Sequence, residues 1–229
     1  MKIFLLVLLM LFCLPVYCVQ VALQNATATF SQSSWDVSYM IDGLNNYNGW
    51  AIAGSGTTSQ TAVMETVSNL NASTISFTMP QNHGSQHLVG RFKFYVTTDN
   101  RSTFADGLIN GGDVTANWLE LPDPTLTLPS GMSYTILSDK SILLSGSCPS
   151  TGTYIVTYQN ITIENITGIR LDVLEHSSLP TQGPGFQPSN GNIVINELFV
   201  DASGTPVPEP ASIMLLLAGL AGLFLKAKR

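Results

Sequence analysis

Apolar and polar residues alternate in short runs through the middle of the chain. The clearest run is Arg91-Phe92-Lys93-Phe94-Tyr95-Val96-Thr97-Thr98, which mixes alternation with aromatic and β-branched residues. A period of two sends successive side chains to opposite faces, so such a run predicts a half-buried strand. Residues 73–79, 152–158, 169–174 and 192–200 carry the same signature. Turn formers separate them: Asp99-Asn100, Gly111-Gly112-Asp113, Pro122-Asp123-Pro124, Pro129-Ser130-Gly131 and Gly183-Pro184-Gly185. Many short strands at this spacing, almost without helical periodicity, predict an all-β antiparallel sandwich. One helical turn is expected over residues 35–41, stopped by Asp42-Gly43. Gln159-Asn160-Ile161-Thr162 and Glu164-Asn165-Ile166-Thr167 echo each other over too short a span for a solenoid repeat.

Two longer apolar stretches lie at the ends. Met1-Lys2 precedes an unbroken apolar run over residues 3–14, then Pro15-Val16-Tyr17-Cys18. One positive charge, a short apolar run and small residues near its end predict a secretory signal peptide over residues 1–18, with the mature chain starting near Val19. The run is shorter than the roughly 20 residues that span a bilayer, and Tyr17 is too bulky for a lipoprotein site at Cys18. At the other end, Pro208-Glu209-Pro210 is followed by an apolar stretch over residues 211–225 and a basic terminus, Lys226-Ala227-Lys228-Arg229. This predicts a transmembrane helix with its basic end in the cytoplasm. Small residues in Ala218-Gly219-Leu220-Ala221-Gly222 suit close helix contact.

Composition narrows the function classes. Only 10% of the 229 residues are charged and the net charge is −6, which argues against a nucleic-acid binder, since that needs a basic face. Residues 19–205 hold 14 acidic and 5 basic residues, about −9. Cys148 is the one cysteine left there, so no internal disulfide can form and the core must supply stability. A chain this long buries about 70% of its surface, which suffices.

Pro208-Glu209-Pro210, the apolar stretch and the basic end, in that order, resemble the PEP-CTERM sorting signal of bacterial exosortase systems. The resemblance covers residues 206–229. It implies export, transient membrane anchoring, processing by an exosortase-type membrane protease, and release to the cell surface or extracellular matrix of exopolysaccharide-producing, biofilm-forming cells. A second resemblance spans about residues 38–202. Met40-Ile41-Asp42-Gly43 seven residues before Trp50, the strand from His87 to Thr98, and the closing run through Gly183-Pro184-Gly185 to Asn196-Glu197 are similar to galactose-binding-like (discoidin-type) jelly-roll domains. Residues 107–151 depart from compact members and are expected to form an inserted hairpin region.

That second resemblance implies two sites. A structural calcium would tie the Asp-Gly loop to the last strand through Asp42, Asn45, Asn46 and Glu197, with Asn48 nearby, because calcium takes six to eight oxygens. The loop is about one residue longer than expected, and asparagine stands where an acidic ligand often sits. Carbohydrate would stack on an exposed aromatic. Tyr47, in a Gly- and Asn-rich loop, and Phe186, after Gly-Pro-Gly, are expected exposed. Trp50 is a third candidate, although it and Trp118 suit the core, and Trp35 and Tyr39 complete the set. His83 and His87 sit in a loop without a cysteine or carboxylate beside them, so a zinc site is disfavoured. The segment Asp106-Gly107-Leu108-Ile109-Asn110-Gly111-Gly112-Asp113 is not an EF-hand loop. No Gly-x-Ser-x-Gly or His-Glu-x-x-His motif occurs, and Cys148 precedes Pro149 with no base beside it. Five Asn-x-Ser/Thr sequons, at Asn25, Asn71, Asn100, Asn160 and Asn165, follow from composition. The expectation is a non-catalytic exported protein that binds polysaccharide. The alternatives are a structural matrix protein without a ligand and a polysaccharide hydrolase or lyase, the last recognisable by two carboxylates in one cleft with one pKa raised.

Overall fold

The computed structural model describes residues 18–55 and 58–203. The expected signal peptide, but for Cys18, and the expected membrane helix both lie outside these residues. No helix among the described residues is long and apolar enough to cross a membrane.

Twelve strands follow in order: β1 (Cys18–Gln20), β2 (Leu23–Ala28), β3 (Trp50–Ala51), β4 (Gln60–Gln81), β5 (Arg91–Thr97), β6 (Leu119–Glu120), β7 (Thr125–Thr127), β8 (Met132–Ile136), β9 (Ile142–Gly146), β10 (Gly152–Val173), β11 (Val194–Ile195) and β12 (Phe199–Ser203). Every pairing is antiparallel. The all-β sandwich is therefore present. The helical turn shrinks to a 3-10 turn over Val37–Ile41 that buries Val37 and Met40.

The organising element is a ribbon of the two longest strands. β4 and β10 pair from Gly152↔Gln81 to Val173↔Gln60. Their sequences are dense in Thr, Val and Ile, which suit an extended, half-buried backbone. The expected strands at 152–158 and 169–174 are thus two halves of one strand. Register slips three times between Gln159 and Gly168, and these bulges give the ribbon halves different neighbours. At one half, β4 pairs β2 through Ala28↔Ala62 and β10 pairs β5 through Leu171↔Phe94. At the other, β4 pairs β12 through Val200↔Phe77 and β10 pairs β7 through Val156↔Leu126. The two halves close on each other: Phe77 of β4 stacks on Phe94 of β5, which pairs with the other half, ring centroids 3.9 Å apart and 6° from parallel. The core gathers around them, with Met64, Ile75, Met79, Phe92, Tyr154 and Leu171 each buried.

Residues 107–151 contain the expected hairpin, β8–β9, and add β6 and β7 to the sheet. Charged pairs on the outer face fasten this segment to β5. Arg91 meets Asp139 at 2.5 Å, and Lys93 pairs with Glu120 and donates to the Asp139 carbonyl at 2.7 Å. At the opposite edge, β1 lies along β12 with Cys18 beside Ser203.

Candidate functional site

The loop after the 3-10 turn is shaped by its own side chains. Asp42 Oδ1 accepts the Leu44 N–H at 2.7 Å, Gly43 takes φ 78°, and Asn46 Oδ1 accepts the Asn48 N–H at 2.8 Å. Such bonds are what make Asp and Asn turn residues. Gly49 then passes so close to the closing segment that a Cβ would lie 2.3 Å from the Ile195 carbonyl oxygen. Tyr47 is left at the crest, 61% exposed.

A second loop comes up beside it. Gly84, Ser85 and Gln86 all have positive φ. They curl the chain beyond Gln81, and Gln86 Nε2 anchors the curl to the Cys148 carbonyl at 2.7 Å. The result is a ring cluster that spans three segments. Tyr47 lies 5.5 Å from Trp35 and 4.7 Å from His83, and Trp35 meets the His83 ring edge-on at 4.8 Å. His87 stands behind His83 at 4.6 Å. Burial, then the neighbouring His87, pulls the His83 pKa below its ordinary value, which favours the uncharged ring. At the rim, Asn82 Nδ2 donates to Asn45 Oδ1 at 2.8 Å. This is a neutral aromatic surface edged by amides. Aromatic faces carry partial negative charge, which suits C–H-rich apolar surfaces, while amides both donate and accept hydrogen bonds.

The other expected aromatics lie elsewhere. Trp50 is fully buried and donates Nε1–H to the Phe30 carbonyl at 3.0 Å. Phe186 is half-buried rather than exposed, because Gly183-Pro184-Gly185 turns it onto the main core. Trp118 packs on Phe104 in a small second cluster. Tyr39 lines a separate groove with Phe30 and Asp36. In the sequence Trp35 is one aromatic candidate among several and His83 a loop histidine disfavoured as a zinc ligand. No signal in the sequence unites them, because Trp35 and His83 stand in separate loops that only the fold brings together.

The expected calcium donors divide. Asp42 and Glu197 line one cleft of about 330 Å³ with Val21, Leu23 and Phe199. Glu197 is 2% exposed, its Oε1 accepts the Leu198 N–H at 3.3 Å, and its Oε2 is buried without a partner. Burial pushes its pKa up to about 7. Asn45 instead accepts from Asn82 of the second loop, and Asn46 accepts the Asn48 N–H within the Tyr47 loop. No group of three His, Cys, Asp or Glu that could hold a metal ion occurs among the described residues. Cys148 is half-buried, and burial raises its thiol pKa to about 11, which leaves it a poor nucleophile.

Beyond Ser203 the chain runs on into Pro208-Glu209-Pro210, the apolar stretch and the basic end. Residues 206–229 are a PEP-CTERM protein-sorting motif. A PEP-CTERM signal marks the chain as exported to the cell surface. No curated protein matches the sequence. Several solved structures are similar to this chain's sandwich. One is CpGH89CBM32-5 from Clostridium perfringens in complex with GalNAc-β-1,3-galactose, 14% identical over 80% of this chain and 99% of that one, TM-score 0.47. Another is the F5/8 type C domain of a Bacteroides fragilis protein, 11% identical over 82% and 99%, TM-score 0.48. A third is the family 32 CBM of C. perfringens NanJ in complex with galactose, 14% identical over 81% and 99%, TM-score 0.41.

Proposed function

We propose that the exported sandwich is a non-catalytic module that binds polysaccharide on the Trp35–Tyr47–His83 surface. One observation carries this reading: Tyr47 is held 61% exposed against two further rings, where a solvated loop would more cheaply present a polar residue. A pyranose offers an apolar C–H face for the rings and hydroxyls for Asn45, Asn48 and Asn82. The test is binding of the exported protein to a polysaccharide panel. Saturable binding is expected, with Tyr47→Ala or Trp35→Ala weakening it at least tenfold while the fold still melts cooperatively. A cooperatively folded protein that binds no glycan would leave a structural matrix role as the better account.

Asp42 and Glu197 do satisfy in outline the mark of a hydrolase, two carboxylates in one cleft with one pKa raised. The details speak for a structural role. Glu197 is 2% exposed, set behind Val21, Leu23 and Phe199 in the cleft wall, so little of its carboxyl is open to a sugar ring. The orphaned Glu197 Oε2 and the Asp42 carboxylate fit a hard cation, and calcium bound there would tie the Asp-Gly turn to the closing segment. The tail reading adds the partner that acts on the protein: an exosortase-type membrane protease that cuts at Pro208-Glu209-Pro210 after a transient membrane stay.

A further inference from the structure

Asn196 is fully buried, between β11 and β12. Its Nδ2 lies 2.9 Å from the Asn46 carbonyl, 3.0 Å from that of Tyr47 and 2.9 Å from that of Asn48. Three successive carbonyls therefore converge on one amide nitrogen that has two hydrogens to give. The other end of the same side chain is also used: Oδ1 accepts the Asn82 N–H at 2.5 Å. Asn46 to Asn48 carry Tyr47, and Asn82 precedes His83. A single side chain thus grips both loops that supply the rings. The Gly49 backbone pressed on Ile195 brings the first loop within its reach.

We propose that Asn196 is the positioning residue of the candidate site: its amide holds the Tyr47 and His83 loops together, in the place where a calcium ion was expected to gather the Asn45–Asn46 loop. Convergent backbone carbonyls are what a hard cation seeks. Here the protein's own N–H donors occupy them. A buried amide left without partners is costly, so Asn196, fully buried, holds to these carbonyls. The ring surface is thereby organised before any ligand arrives, which spares binding the cost of ordering two loops. It is also indifferent to chelators, whatever the Asp42–Glu197 cleft holds.

The inference rests on the ring cluster being the binding surface, and its test separates the two. In wild-type protein the Asn196 side-chain NH2 should show amide exchange at least a hundredfold slower than that of exposed Asn69, unchanged by chelator. Exchange as fast as that of Asn69 overturns the proposal without any variant. In Asn196→Ala, the His83 ring signals should lose the shifts imposed by Trp35 and Tyr47, and glycan affinity should fall at least tenfold. Asn196→Asp removes the donors and sets a carboxylate facing three carbonyls, so calcium should now restore the His83 shifts that chelator abolishes. Unmoved His83 signals in Asn196→Ala would overturn the clamp. Moved signals in a protein whose wild type binds no glycan would uphold the clamp and sink the sugar reading.

Discussion

Glu197 has one oxygen satisfied and the other buried without a partner, and this fixes how stability depends on pH. In the metal-free protein the unfolded chain releases this proton near 4.5, whereas the folded state keeps it to about 7. Between those values the folded state binds more protons, so stability falls as pH rises and levels off above the folded pKa. Melting temperature in chelator should show that decline, and Glu197→Gln should remove it. Calcium favours the ionised form in the folded state and should flatten the decline. A wild-type curve in chelator that is flat from pH 4.5 to 7 would refute the buried proton. At this scale the sequence was partly legible. Asp42 and Glu197 could be paired across 155 positions, since the resemblance to a known loop-and-strand arrangement names both. The aromatics were harder, because the chain does not state whether the residue after Gly183-Pro184-Gly185 points outward. Asn196 was invisible, since a buried amide spells the same as a solvated one.

The bent ribbon of β4 and β10 is the element on which both halves of the sandwich depend. Phe77 projects from one half onto Phe94 of the other, and Tyr158 packs edge-on against Phe77. Phe77→Ala should cost about 3–5 kcal/mol, the range for emptying a packed aromatic site. Domains of this kind hold only about 5–15 kcal/mol in all. Denaturant titration measures the loss, and a cost below about 1 kcal/mol would mean the halves do not lean on this stack. Alternation revealed the strand segments but not their continuity. The reason lies in the Asn-Ile-Thr echo. Asn160 and Asn165 adopt φ 57° and 58°, a left-handed conformation asparagine tolerates, at the places where the ladder slips. A residue pair that reads as a break between strands is a pair of bulges within one.

For the whole molecule, the PEP-CTERM motif bears on destination and the proposed ring surface on binding. Exported protein from cells with an exosortase should have a mass lacking residues 211–229. An intact tail on such protein would contradict processing. Destination and binding meet in the edge pairing of β1 with β12. Cys18 lies beside Ser203, and the strands run in opposite senses, so the chain enters the sandwich at residue 18 and leaves it at residue 203 through one pole. Ser203 pairs with Thr74, while the His83 loop begins past Gln81 on the same strand. The separation is about 25 Å at roughly 3.3 Å per residue. The rings therefore lie at the pole away from residues 18 and 203. On the proposed reading, capture of a polymer and release from the cell need no set order: a protein that grips first and is let go afterwards would stay attached to what it holds.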